Sequence, residues 1–201
     1  MNASRVPGRR DPYIDGEGWL TSATRLPSPN FEARTRDTVP TLIVVHNISL
    51  PPDDFSTDSV TKFFRNELDH DAHPYFDRLR GMRVSVHFVI RRDGAVEQFV
   101  SCDERAWHAG VSSFFERERC NDFSIGIELE GSDHVPSEDA QYEALAALVR
   151  INHEVLSDRC ARRSLGHRTR SQDRSRSALR LAKAASESAL PTSFFPFQSH
   201  D

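Results

Sequence analysis

Short apolar runs rich in β-branched residues set the frame of the chain. Thr41-Leu-Ile-Val-Val-His46 reads as a buried strand. Val84-Ser-Val-His-Phe-Val-Ile90 gives a second strand, Arg92-Asp-Gly94 has the chemistry of a hairpin turn, and residues 95–100 form the return arm. Ser124-Ile-Gly-Ile-Glu-Leu-Glu130 is a third core strand, in which small or polar residues alternate with apolar ones. Period two places Glu128 and Glu130 on one face and Ile125, Ile127 and Leu129 on the other. Helical spacing occurs over residues 57–68, with Val60, Phe63, Phe64 and Leu68 on one side. Ser137 is placed to cap a helix running to about Val155, with Tyr142, Leu145 and Val149 along one face. Strands interleaved with helices predict a single α/β domain, with a central mixed sheet flanked by helices.

Composition narrows the picture. A chain of 201 residues is long enough for one domain with a real core and short for two. Hydrophobic residues at 37% and charged residues at 28% fit a soluble globular protein. A net charge of −4 argues against general binding to nucleic acid or membrane surfaces. No apolar run approaches the roughly 20 residues of a membrane span. The first 18 residues are charged and lack the apolar core of a secretory signal. Three widely spaced cysteines, Cys102, Cys120 and Cys160, suit a reducing cytoplasm better than a disulfide framework. Residues 1–15 are expected to be a flexible N-terminus and 16–167 the folded domain. After His167 the character changes: residues 168–180 hold five arginines, three serines and one acid, Asp173, and no glycine follows Gly166. Residues 168–201 are therefore expected to be an aberrant, poorly packed tail.

The candidate chemistry is spread along the chain. His46 ends a buried strand, where α/β folds place functional groups; a hydrogen-bonded core histidine is the alternative. His87 lies mid-strand, His108 follows Trp107, and His167 follows Gly166. A catalytic zinc needs three protein donors and a water, but ligands this far apart carry no spacing signature. Glu128 and Glu130 are either a solvated pair or include a general base beside a metal. Arg83, Trp107 and Arg119 can frame a pocket for a sugar and a carboxylate, or be structural. Arg91-Arg92 reads as part of a solvated hairpin.

Longer runs carry a family resemblance. Leu42-Ile-Val-Val-His-Asn-Ile-Ser-Leu-Pro51, Ala72-His-Pro74, Arg91-Arg-Asp-Gly94 and Arg105-Ala-Trp-His-Ala-Gly-Val-Ser112 resemble the AmpD family of 1,6-anhydro-N-acetylmuramoyl-L-alanine amidases. So do Arg117-Glu-Arg-Cys-Asn-Asp-Phe-Ser-Ile-Gly-Ile-Glu-Leu-Glu-Gly131, Asp139-Ala-Gln-Tyr142, Gly166-His167 and, near the start, Gly18-Trp-Leu20 and Pro27-Ser-Pro-Asn-Phe31. The likeness covers roughly residues 14–167. It implies the amidase and peptidoglycan-recognition fold and a cytoplasmic enzyme with no obligate protein partner. Its substrate would be an anhydro-muropeptide, cut between muramic acid and L-alanine. It implies a Zn2+ cofactor held by two histidines and an aspartate. His46 matches the first ligand, His167 the second, and Glu128 the catalytic glutamate. Asn47, Arg83, Trp107 and Arg119 match positions lining the substrate pocket.

The likeness stops after His167. Relatives carry an oxyanion-stabilising lysine there, and an aspartate ligand about ten residues past the histidine. Here Ser175 and Ser177 fall near those positions, and serine supplies neither a positive charge nor a good zinc donor. The tail reads as a frameshifted translation of the family's last codons. Dropping one base from high-GC codons for Ser-Asp-Ile gives Arg-Thr, and the same shift turns Pro-Ala-Phe-Asp into a run like 178–181. An unchanged reading frame on independent DNA would overturn this hypothesis. The competing expectation makes Asp173, six residues past His167, the third ligand. A further alternative is a muropeptide-binding homologue that lacks that ligand and does not catalyse.

Overall fold

The computed structural model describes residues 11–35, 38–166 and 180–183. In chain order the elements are β1 (Thr24–Arg25), β2 (Phe31–Ala33), β3 (Leu42–Ile48), α1 (Ser59–Phe64), β4 (Phe88–Ile90), β5 (Val96–Gln98) and β6 (Glu104–Ala106). They continue with β7 (Ser113–Phe114), β8 (Arg117–Glu118), β9 (Ser124–Glu130), α2 (Asp139–Gly166) and β10 (Arg180–Lys183). The main sheet runs in the order β1-β5-β4-β9-β3-β10. It is mixed, because β4 and β5 form the antiparallel hairpin that the Arg92-Asp-Gly94 turn predicts, whereas the other neighbours are parallel. Gly94 takes φ 83 in that turn, a left-handed value that suits glycine.

β3 and β9 are covered on both faces; β3 reads as a nearly continuous apolar run, whereas β9 alternates, with Ser124, Gly126, Glu128 and Glu130 on one face. On one face Ile43, Val45, Phe88, Ile90, Ile125, Ile127 and Leu129 pack with Leu148 of α2. On the other, Ile48, Val86 and Val89 pack with Val60, Phe63 and Phe64 of α1. Each helix thus covers one face, as the α/β reading expects.

Several boundaries differ from the sequence reading. α1 ends at Phe64 rather than reaching Leu68, because Asn66 turns left-handed (φ 60). The N–H groups of Asn66 and Glu67 then donate to the carbonyls of Phe63 and Lys62, closing the helix end. Leu68 still packs on the core from beyond that stop. α2 begins at Asp139, and the Oε1 of Gln141 accepts the N–H of Glu138, so Ser137 is not its cap. Its buried stripe is Gln141, Leu148 and Asn152; Leu145 and Val149 are only partly covered, and Tyr142 is 55% exposed. The strand expected over Val84–Ile90 joins the ladder only from Phe88. Before that, the N–H of Ser85 donates to Trp107 and that of His87 to Gly126.

Two segments expected to lie outside the folded domain are described in part. Within the expected loose segment 1–15, the described part already packs: Ile14 is buried and bridges Leu20. Gln98 holds this segment, its Oε1 accepting the N–H of Leu20 at 2.7 Å and its Nε2 donating to the carbonyl of Gly18 at 2.9 Å. In the segment expected to be poorly packed, Arg180–Lys183 pairs in parallel with residues 42–45 as an edge strand. The rest of the tail expectation, Asp173 included, lies outside the described residues. Among the described residues, no helix is long and apolar enough to cross a membrane.

Candidate active site

Register builds the site. β3 and β9 are parallel and in step, with His46 opposite Glu128 and Asn47 opposite Leu129. Residues at matched positions of a parallel pair point the same way, so His46 and Glu128 lie side by side on the face that carries α1. Val89 of β4 flanks Glu128 on its other side.

The expectation of a solvated Glu128–Glu130 pair fails, and the two carboxylates have different fates. Glu130, 4% exposed, accepts from Nη1 of Arg91 at 2.6 Å and from the N–H of Arg92 at 3.2 Å. Glu128, 2% exposed, has an Oε2 with no hydrogen-bond partner among the described residues. Burial with nothing to offset it pushes the Glu128 carboxyl well above its ordinary value. Glu130 is tied up in an ion pair, whereas Oε2 of Glu128 has no such partner among the described residues. The hairpin expectation is corrected by the same contacts. Arg91 bridges Glu97 and Glu130, and Arg92 reaches Glu138, so these arginines lock the sheet edge to α2 instead of lying solvated.

Behind His46 lies a buried histidine chain. Nε2 of His46 is 3.2 Å from Nδ1 of His108, and Nε2 of His108 is 3.0 Å from Oγ of Ser124. The Ser124 hydroxyl donates to the carbonyl of Cys120 at 2.6 Å. Asn121 Oδ1 accepts the N–H groups of both His108 and Ala109. The His108 ring lies over Gly126, where an added Cβ would stand 2.5 Å from the ring. His87 completes the group, its Nδ1 accepting the N–H of Gly126. Desolvation lowers His46 to about 4 and His87 to about 3, and lowers His108 well below the ordinary histidine value, so all three are neutral at pH 7.

Arg34 pins the floor of this site, donating to the backbone carbonyls of Cys102, Asn121, Asp122 and Ser124. Its burial lowers it to about 10, which leaves it charged at neutral pH. Nothing in the sequence pattern singles out Arg34. Gly126, by contrast, had a legible signal: a glycine between Ile125 and Ile127 in a strand marks a close approach by a neighbour.

The remaining expected residues are placed unevenly. Asn47 sits at the end of β3, its Nδ2 donating to Asp133 at 3.0 Å. Trp107 directly precedes His108; its backbone exchanges hydrogen bonds with Ser85, and its indole N–H is buried with no partner among the described residues. Arg83 is exposed two residues before Ser85. Arg119 takes a left-handed φ of 63 ahead of a short 3-10 helix (Cys120–Phe123), and its 69% exposed side chain pairs with Asp122, which Arg105 also holds. The register thus brings His46 and Glu128 together and the chain places Trp107 next to His108, whereas Arg83 and Arg119 are surface groups. His167 lies outside the described residues.

Fold and site place the chain in a class of cell-wall amidases. It belongs to the N-acetylmuramoyl-L-alanine amidase family, whose sequence profile matches residues 36–177. Among its relatives is the 1,6-anhydro-N-acetylmuramyl-L-alanine amidase AmpD of Escherichia coli K12, 51% identical over 151 residues, which are 75% of this chain and 82% of that one. AmpD of Citrobacter freundii is 56% identical over 132 residues, covering 66% and 71%. A crystal structure of a selenomethionine AmpD derivative superposes with a TM-score of 0.66 at 53% identity, covering 71% of this chain and 78% of that one. The solution structure of Citrobacter freundii AmpD gives 0.50 at 52% identity, covering 73% and 76%.

Proposed function

We propose that this chain hydrolyses the amide between the lactyl group of (anhydro-)N-acetylmuramic acid and L-alanine, in cytoplasmic recycling of cell-wall fragments, with zinc as cofactor. The observation that carries the reading is the buried Glu128 carboxylate, unpartnered at Oε2 and in register beside the neutral His46.

The donor chemistry fits a zinc site. A neutral imidazole can bind zinc, and an unpaired buried carboxylate oxygen beside it suits a group that exchanges protons with water. His46 and His167 would hold the ion, which supplies a Lewis acid and a water of lowered pKa. Among the described residues, no three His, Cys, Asp or Glu side chains converge to complete it. The chain's own residues do the rest. Glu128 takes a proton at Oε2 and returns it to the leaving alanine nitrogen. The apolar wall of Val89 keeps Glu128 poorly solvated, which raises its basicity toward the working pH. The half-buried Trp107 ring would offer an apolar face to a sugar ring. Asn47 lies one residue on from His46, and the exposed Arg83 and Arg119 would serve as outer contacts for the peptide carboxylates.

The test is release of L-alanine-headed peptide from an anhydro-muropeptide by metal-stripped protein, with and without added zinc. Turnover restored by zinc supports the reading, and no turnover with zinc supplied removes it. A second reading, binding without hydrolysis, is favoured by the sequence after His167: Ser175 and Ser177 fall near the positions where the family resemblance expects the lysine and the third ligand. It predicts muropeptide binding by calorimetry with no product in the same sample.

A further inference from the structure

We propose that His108 is a positioning residue: through Ser124 and the carbonyl of Cys120, it fixes His46 as the tautomer whose Nδ1 carries the free lone pair. The inference rests on the reading of His46 as a zinc ligand.

The proton order follows from the one member of the chain that can only accept. A backbone carbonyl has no proton, so in the 2.6 Å contact with Cys120 the Ser124 hydroxyl must donate. That uses the only proton on Oγ, which can therefore only accept from Nε2 of His108 at 3.0 Å. A neutral His108 with its proton on Nε2 presents a lone pair at Nδ1. The 3.2 Å contact from that Nδ1 to Nε2 of His46 then requires the proton to lie on His46 Nε2. A neutral imidazole has one N–H, so Nδ1 of His46 is left as a bare donor to a cation. A metal-binding histidine whose other nitrogen is held by an outer partner is oriented and made more basic, and losing such a partner weakens metal binding about 10- to 100-fold.

The surroundings hold His108 in the pose this requires. Its N–H and that of Ala109 both go to Asn121 Oδ1, at 3.1 and 2.9 Å. Its ring fills the space that a side chain at position 126 would occupy. His87 meets the ring edge-on, with centroids 5.9 Å apart and an angle of 70°. The ring nitrogens of His87 are engaged elsewhere: Nδ1 accepts from the N–H of Gly126, and Nε2 lies 3.1 Å from both the carbonyl of Glu104 and Nη2 of Arg34. His87 therefore does not compete for His108, and the direction Cys120, Ser124, His108, His46 has no branch among the described residues.

Nitrogen NMR of the zinc-free, full-length protein reads the tautomer directly, and chelator competition reads zinc affinity. The expected result is an Nε2-protonated His46 in the wild type. His108→Asn, whose Oδ1 can stand in for the ring Nδ1, should keep that tautomer and bind zinc within about threefold. His108→Phe keeps a ring but offers no acceptor, so His46 should become a tautomer mixture and zinc binding should weaken at least about tenfold. A wild-type His46 protonated at Nδ1 would overturn the proposal, as would unchanged tautomer and affinity in His108→Phe. Should His108→Phe not fold, the wild-type spectrum still decides. A wild type with the expected tautomer that binds no zinc would sink the zinc reading and leave the tautomer assignment standing.

Discussion

Glu128 and Glu130 sit two positions apart on one strand, and the protein treats them oppositely. Arg91 and the N–H of Arg92 satisfy Glu130, whereas Glu128 is buried without such help. Its carboxyl is raised above the ordinary value of 4.5, which has a sign-definite effect on stability. Below that value both folded and unfolded chains are protonated, and nothing is lost. As pH rises through it, the unfolded chain ionises and the folded one resists, so stability falls until the folded group ionises as well. Glu128→Gln removes this loss. In zinc-free protein it should raise the urea midpoint at pH 7 and leave it unchanged near pH 4. The gain grows by about 1.4 kcal/mol for each pH unit of the window. Equal midpoints for variant and wild type at both pH values would contradict the assignment of an unpaired carboxyl. The sequence showed both glutamates on one face, and family likeness favoured Glu128. What it lacked was the partner list, because the arginines that claim Glu130 come from a different hairpin.

At the scale of elements, strands were more legible than helix ends. β3 follows from its apolar run and β9 from its period of two. The shortening of α1 came from Asn66 adopting a left-handed turn, and asparagine takes that conformation only when its neighbours allow it. The face of α2 was misread at Tyr142 because its buried stripe is partly polar, and hydrophobic spacing does not register a buried Gln141 or Asn152. Gln141 nonetheless joins three elements. Its Nε2 donates to the carbonyls of Ile90 at 3.1 Å and Glu130 at 3.0 Å, and its Oε1 accepts from Glu138 at 3.0 Å. Gln141→Leu leaves these groups without that partner in a dry setting, at about 1–3 kcal/mol for each group left unsatisfied. Urea unfolding should show a loss of roughly 3 kcal/mol or more. A loss below about 0.5 kcal/mol would mean that the helix is held by Leu148 and its apolar neighbours alone.

The whole molecule places three neutral histidines under one sheet face, which makes its stability acid-sensitive. His46 and His87 are lowered to about 4 and about 3, and His108 is lowered as well, by the same desolvation. Unfolded histidines protonate near 6.5. The stability these groups contribute is therefore complete above about pH 6.5 and is lost as pH falls toward their folded values. Glu128 acts in the opposite direction over the same window, but three groups outweigh one. Zinc-free protein should lose roughly 1.5–2 kcal/mol between pH 6.5 and 5.5 in urea titrations. A flat profile there would mean that the histidines are solvated in the native state. No sequence pattern shows this cluster, since His46, His87 and His108 come from three separate segments joined only by the sheet and the loop after β6.

The central claim is that Glu128, beside His46, is the proton-transferring group of an amidase. The direct measurement is the rate of anhydro-muropeptide cleavage by zinc-loaded wild type and Glu128→Gln, with zinc content and substrate affinity measured on the same samples. The account predicts a fall in kcat of about 100-fold or more, with zinc content and substrate affinity close to wild type. A Glu128→Gln variant that turns over within a few-fold of the wild type would contradict it.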